Sequence, residues 1–169
     1  ILREASYVIA ETKVGVDEYV ECEPLIEAEK IVILSPPFDV DEFKDLPEFG
    51  NFRKSIGLNE TVPIISFLGR LHYIKGNDFL IKGFKKLLNK KPSAMLVFLG
   101  GDDGHEVELK KLVKSLDLSG NVIFVGFVSG HKKNEALVDS SIVAQMSRKE
   151  AGAWAPFEAV LCETPIIVT

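Results

Sequence analysis

VPIISFLGRLHYIKGNDFLIKGFKKLLNKKPSAMLVFLG, residues 62–100, decides the fold. Residues 63–68 and 94–99 are short, nearly continuous apolar runs, the pattern of strands buried on both faces. Between them, residues 77–90 place Leu80, Phe84, Leu87 and Leu88 at i, i+4, i+7 and i+8, which predicts an amphipathic helix. Strand, helix, strand in that order is a parallel unit with a right-handed crossover.

The same alternation extends outward. Downstream, strands are expected at 121–125, 141–145 and 165–168, with helices at 106–116, 130–139 and 154–162 between them. Leu109, Leu112, Val113 and Leu116 share one face of the first of these helices. Upstream, residues 49–56 read as a helix capped by Gly57. Residues 6–10 read as a strand and 12–20 as a helix. Residues 30–34 are an apolar run closed by Ser35-Pro36-Pro37, where a central strand cannot continue. The fold class is therefore α/β, a Rossmann-like parallel sheet with helices on both faces. Such sheets bind ligands at the carboxyl ends of their strands. That directs attention to the loops after Leu68, Leu99, Val125 and Gln145. There is no internal repeat and no low-complexity segment.

Composition narrows the function classes. The chain has 169 residues, 46% hydrophobic and 27% charged, with a net charge of −5. This suits one α/β domain and argues against a broad nucleic-acid surface. Cys22 and Cys162 lack paired spacing, as in a reduced intracellular protein. No apolar run is long enough for a transmembrane helix, and no leader-like segment opens the chain. The chain starts at Ile1 within a structured pattern and stops on a strand, so a truncated piece of a larger protein is expected.

The loop after Leu68 is Gly69-Arg70-Leu71-His72-Tyr73-Ile74-Lys75-Gly76, running into a helix. Two cations, glycines that allow close approach and the positive end of a helix make a plausible diphosphate clamp; a solvated basic loop fits the residues equally well. Gly100-Gly101-Asp102-Asp103-Gly104 lacks the dinucleotide fingerprint and reads as a break before a helix. Gly126-Phe127-Val128 either faces a flat base or packs. In the last loop, Glu150 and Glu158 flank Trp154 and Pro156, and both glutamates can point at one pocket. A carboxylate there accepts hydrogen bonds from sugar or ribose hydroxyls; two solvated acids are the plainer alternative. Pro156 suits a first helical turn, with Glu158 in or near it. His72, His105 and His131 lack metal-ligand spacing, and His105 and His131 are expected at exposed helix starts. No metal site is expected.

Taken in order, these segments resemble the glycogen-synthase-like retaining glycosyltransferases, the glycosyl transferases group 1 family with the GT-B fold. The resemblance runs from Ile31-Val32-Ile33-Leu34-Ser35-Pro36-Pro37-Phe38-Asp39-Val40-Asp41-Glu42-Phe43 through Gly69-Arg70…Lys75-Gly76 and Asn121-Val122-Ile123-Phe124-Val125-Gly126. It ends in Glu150, Glu158-Ala159 and Thr164-Pro165-Ile166-Ile167. It implies the C-terminal, donor-binding half of a GT-B enzyme. Residues 31–169 would be the nucleotide-sugar-binding domain, truncated at its end. Residues 1–30 would be the tail and linker of a missing N-terminal domain.

The resemblance also implies roles. Arg70 and Lys75, beside Gly69, match the pair that neutralises the donor diphosphate. Glu150 matches the residue beside the donor sugar, lined by the backbone of Ala151, Gly152, Ala153 and Trp154. Glu158 matches the residue that holds the ribose, Gly126, Phe127 and Val128 the segment along the base, and Ser147 a serine before the first glutamate. Arg70, Lys75 and Glu150 would be catalytic. The implied reaction moves a sugar, with retention, from a nucleoside-diphosphate sugar such as UDP-glucose or GDP-mannose. The acceptor is a glycan, lipid or small molecule held mainly by the missing domain. No cofactor, metal or nucleic acid is expected. The location implied is cytoplasmic, with membrane association, peripheral at the inner face, only through the missing parts. The alternatives are an inactive nucleotide-binding module and a GT-B epimerase or phosphorylase. Three departures stand out. Pro36-Pro37 replace a common Asn-Gly, Gly152-Ala153 replace Phe-Gly, and Glu163 replaces a usual glycine.

Overall fold

The computed structural model describes residues 2–35, 37–150 and 152–169. The proposed turn residue Pro36 and the proposed site residue Ala151 lie outside the described residues. The chain divides into two compact units, residues 1–39 with 151–153, and residues 40–150 with 154–169.

In the first unit, strands β1 (Val8–Ala10) and β2 (Ile31–Ile33) pair in parallel. Helix α1 (Lys13–Cys22) connects them. Thr12 caps it, its hydroxyl accepting the Gly15 N–H at 3.3 Å. The apolar run at 31–33 thus pairs within this unit.

The second unit is built on a five-stranded parallel sheet. Its strands are β3 (Ile64–Leu68), β4 (Met95–Leu99), β5 (Val122–Gly126), β6 (Ile142–Gln145) and β7 (Ile166–Val168), in the spatial order β5-β4-β3-β6-β7. The order reverses between β3 and β6, so the carboxyl ends of those strands border the switch point where ligands of such sheets collect. Helices α2 (Asn51–Ser55), α3 (Asn77–Leu88), α4 (Glu106–Ser115), α5 (Gly130–Val138) and α6 (Trp154–Leu161) accompany the strands.

The period-2 geometry of the strands splits their side chains between two cores. Ile65, Phe67, Leu96 and Phe98 pack with Leu80, Ile81 and Phe84 of α3 and Leu109 and Val113 of α4. Ile64, Val97 and Leu99 pack on the opposite face with Phe52 of α2 and Ala136 of α5. Each such fully buried large side chain contributes about 1.5–3 kcal/mol. The apolar runs at 63–68 and 94–99 are explained by this double burial. Strand β7, at the sheet's edge, stays exposed along its length.

Two features were invisible in the sequence. The Asp139 carboxylate accepts the N–H groups of Gly50 at 2.5 Å and Arg53 at 2.7 Å, closing the start of α2. Arg53, almost wholly buried, donates to the carbonyls of Asn59, Glu60, Val62 and Asp139.

Three helices end in the same way. After α2, α4 and α6, Gly57, Asp117 and Glu163 adopt positive φ of 73°, 55° and 58°. The following N–H returns to the carbonyl five residues back: Leu58 to Arg53, Leu118 to Val113 and Thr164 to Ala159. This accounts for the glycine usual where Glu163 stands, and nothing in the structure explains the glutamate. Its position is a left-handed helix terminus, where glycine is the unstrained residue.

Candidate functional site

The loop after β3 is held from two sides. Leu71, fully buried, donates its N–H to the Gly101 carbonyl and accepts from the Asp103 N–H, so the loop runs alongside the one after β4. Gly100 makes this possible, because a β-carbon there would stand 1.9 Å from the Gly69 carbonyl oxygen. Residues Tyr73–Lys75 then form a single 3₁₀ turn, and the His72 imidazole accepts the Ile74 N–H at 3.2 Å. Gly76 follows at φ 64°, where a β-carbon would lie 1.7 Å from the Met146 carbonyl oxygen. The sequence suggested that the glycines of the 69–76 loop let backbone come close to a ligand. At 76 and 100 the space is filled by neighbouring backbone instead.

Lys75, at the end of this turn, meets the loop after β6. Its ammonium lies 2.5 Å from Glu150 Oε2. The same oxygen accepts from Gln145 Nε2 at 2.9 Å and from Ser147 Oγ at 3.2 Å. Three donors therefore converge on one carboxylate oxygen, with Lys75 and Glu150 both about four-fifths buried. The structure thus brings together three sequence-nominated residues, Lys75, Ser147 and Glu150, and adds Gln145.

The other nominated charges are paired elsewhere. Arg70, exposed, holds Asp103 of the β4 loop at 2.6 Å. Asp102 beside it accepts the N–H groups of Glu106 and His105, which holds its carboxyl below the usual range and starts α4. The Gly100–Gly104 segment is thus the helix-starting break read from the sequence. Glu158 lies 2.6 Å from Lys133 of α5, whose ammonium also stands 3.6 Å from Glu42 and over the Phe43 ring. Pro156 is the third residue of α6 and Glu158 the fifth, just past the first turn, in keeping with the sequence reading. Beside this pair, burial pushes the Cys162 thiol up to about 11; Lys133 opposes the shift and Glu158 adds to it.

Gly126 closes β5 at φ 87°, Phe127 is 79% exposed, and Val128 packs partly beneath the sheet. Gly152 and Ala153 group with the first unit. A β-carbon at Gly152 would stand 2.7 Å from the Glu11 carboxylate of that unit. Trp154 begins α6 and is partly exposed. His131 is exposed as expected. His105 is not: it is half-buried, its Nδ1 is enclosed, and its ring meets Tyr73 edge-on at 5.7 Å. Among the described residues no helix is long and apolar enough to cross a membrane.

Sequence reasoning passed over Gln145, Lys133, Asp78 and Arg148. The acid–base partners of the last three are distant in sequence, Lys133–Glu158 by 25 positions and Asp78–Arg148 by 70, so no local spacing announces them. A polar Gln145 at the end of an otherwise apolar strand was the one available signal.

The sequence profile of the glycosyl transferases group 1 family matches residues 48–169, and the chain belongs to that family. It is 32% identical to mannosylfructose-phosphate synthase of Agrobacterium fabrum, over all of this chain and 38% of that protein. It is also 32% identical, over 79% of the chain and 34% of the relative, to an uncharacterized glycosyltransferase of Methanocaldococcus jannaschii. The chain therefore spans little more than a third of these relatives' length. Among solved structures, Anabaena HepE in complex with UDP-glucose superposes with a TM-score of 0.85 at 23% identity, over 99% of this chain and 45% of HepE. The glycosyltransferase WaaG superposes at 0.80 over 95% of the chain and 43% of WaaG, with 19% identity. The architecture is that of part of a GT-B glycosyltransferase, as the sequence resemblance implied.

Proposed function

We propose that this chain is the donor-binding part of a retaining glycosyltransferase, and that it receives a nucleoside-diphosphate sugar at the carboxyl ends of β3 and β6. The observation that carries the reading is the Lys75–Glu150 pair, set among Gln145 and Ser147 at the switch point of the sheet. Bond cleavage in the donor gathers negative charge on the leaving diphosphate. Lys75 is the buried cation for that charge, and Arg70, at the start of the same loop, is the exposed one. Glu150 stands beside the sugar, Glu158 takes the ribose hydroxyls, and the 126–128 segment follows the base. The named relatives and the UDP-glucose complex of HepE support a nucleotide-sugar donor. The acceptor, a glycan, lipid or small molecule, is held by parts of the enzyme beyond this chain. The protein works in the cytoplasm, in glycan or glycoside biosynthesis, without a cofactor.

The test is calorimetric titration with UDP, GDP and ADP, each alone and as a sugar conjugate. One nucleotide is expected to bind selectively. Lys75→Ala should weaken it by roughly 1–3 kcal/mol, the range for charge-assisted hydrogen bonds. Arg70→Ala should weaken it less, because its guanidinium is exposed. Unchanged affinity in Lys75→Ala would overturn the assignment.

A further inference from the structure

Arg148 sits two residues before Glu150 and reaches back across the site to the start of α3. Its Nη1 and Nη2 donate to Oδ1 and Oδ2 of Asp78 at 2.7 and 2.8 Å, a two-pronged pair. Nη1 also donates to the Tyr73 carbonyl at 2.7 Å. The guanidinium lies between two rings, 3.8 Å from the Tyr73 centroid and 4.1 Å from that of Phe79. The Arg148 backbone N–H donates to the Ile74 carbonyl at 2.8 Å. Arg148 and Asp78 are both about four-fifths buried. An arginine in such a setting is far more fixed than a surface cation, because planarity, stacking and both prongs agree.

What Arg148 joins is specific. Tyr73, Ile74 and Lys75 form the turn that presents the Lys75 ammonium. Asp78 and Phe79 begin α3 directly after it. Arg148 itself belongs to the loop that presents Ser147 and Glu150. At Gly76 and Met146 the two loops already touch backbone to backbone. Both terminal nitrogens of Arg148 are committed to protein groups, so its effect on a ligand passes through Lys75 and Glu150. We propose that Arg148 is a positioning residue: with Asp78 and the Tyr73–Phe79 rings it locks the Lys75 turn to the Glu150 loop, and thereby sets the cation–carboxylate geometry that receives the donor diphosphate. This rests on the reading of Lys75 as the diphosphate cation.

A brace that only stabilises the fold would lower the melting temperature and leave nucleotide affinity alone, or weaken it independently of Lys75. A positioning residue acts only where there is a Lys75 to position. The experiment is a double-mutant cycle. UDP, GDP and ADP are titrated into wild type, Lys75→Ala, Arg148→Met and the double variant, with Asp78→Asn as a second way to sever the pair while leaving Arg148 on its rings. Arg148→Met is expected to weaken the bound nucleotide about tenfold or more, as misplacement of a charged group does. In the Lys75→Ala background the same change is expected to have no further effect. Asp78→Asn should follow the same pattern at smaller size. Full additivity with Lys75→Ala, or unchanged affinity in folded Arg148→Met and Asp78→Asn, would overturn the proposal. If Lys75→Ala itself leaves affinity unchanged, or no nucleotide binds wild type, the reading of Lys75 fails first and the positioning role fails with it.

Discussion

Replacing Glu150 with Gln should tighten the binding of a free nucleoside diphosphate. In the structure Lys75 is already neutralised, its ammonium 2.5 Å from Glu150 Oε2. A diphosphate arriving at Lys75 must share that cation with a carboxylate and accept a fixed negative charge nearby. Glutamine keeps the shape. Its amide oxygen still accepts from Gln145 and Ser147, which now reach Oε2 at 2.9 and 3.2 Å. The charge is gone. Two unit charges about 6 Å apart repel by about 0.7 kcal/mol in water and about 2.8 kcal/mol at an effective dielectric constant of 20. The pair is about four-fifths buried, which puts the gain between these limits, at about 1–2 kcal/mol or roughly five- to thirtyfold in Kd.

The assay is calorimetry of the selected nucleoside diphosphate with wild type and Glu150→Gln at low and moderate salt. The gain should shrink as salt rises, because part of it is screened repulsion. The sugar conjugate is the internal control. If Glu150 also stands beside the donor sugar, the variant gains less for the conjugate than for the free diphosphate. Equal or weaker binding of the free diphosphate by Glu150→Gln, in a protein where Lys75→Ala does weaken it, would refute the idea that Glu150 competes for Lys75.

Glu163→Gly should stabilise the second unit by about 0.5–1 kcal/mol, raising Tm by about 2–4 °C: relief of a left-handed conformation costing about 1–2 kcal/mol is partly offset by the extra freedom of glycine when unfolded. Thermal melts of Glu163→Gly and Asp117→Gly decide it; a loss of stability in both would count against the strained helix ends. The Arg148 guanidinium holds the Asp78 carboxyl below its usual range. Its stabilising effect is present above the unfolded value of about 3.9 and is lost as pH falls through the lower folded value. Denaturant titrations should therefore show the stability advantage of wild type over Asp78→Asn at pH 6 fading below about pH 4; an advantage independent of pH would exclude the charge as its source. Cys162, buried and pushed up to about 11, should resist iodoacetamide at pH 8 in the folded chain while the exposed Cys22 reacts, as mass spectrometry of the labelled protein would record.

The fold was legible because its strands are buried on both faces. Continuous runs such as 64–68 and 95–99 survive any local ambiguity, and the i, i+4, i+7 pattern of α3 fixes the crossover between them. The short elements were not legible. The 3₁₀ turns at Ala28–Lys30, Val40–Phe43 and Tyr73–Lys75 carry no periodicity, since three or four residues cannot display one. At the site, the sequence supplied the residue types and their order but not their partners. Lys75 and Arg70 read as two free cations around a loop. In the folded chain each is matched by an acid from a different strand's loop, and Glu158 by a lysine of α5.

That matching bears on how the site operates. A buried lysine without a counter-charge would lose its proton or destabilise the fold, so a cation placed to receive an anion needs a substitute anion until the ligand comes. If Lys75 receives the donor diphosphate as proposed, Glu150 fills that role until it arrives, and the cost is a competitor that the donor must displace. The displacement is tolerable only if the carboxylate has somewhere else to go. On that reading Gln145 and Ser147 offer the alternative, since both already donate to the oxygen that Lys75 would leave. The exchange also requires that the Lys75 turn and the Glu150 loop keep their spacing while the ion pair opens. Lys75 and Glu150 cannot maintain that spacing themselves once they part. Beside the backbone contact of Gly76 with Met146, the contacts that can are those of Arg148 with Asp78, Tyr73, Phe79 and the Ile74 carbonyl, none of which involves either partner of the pair that must break.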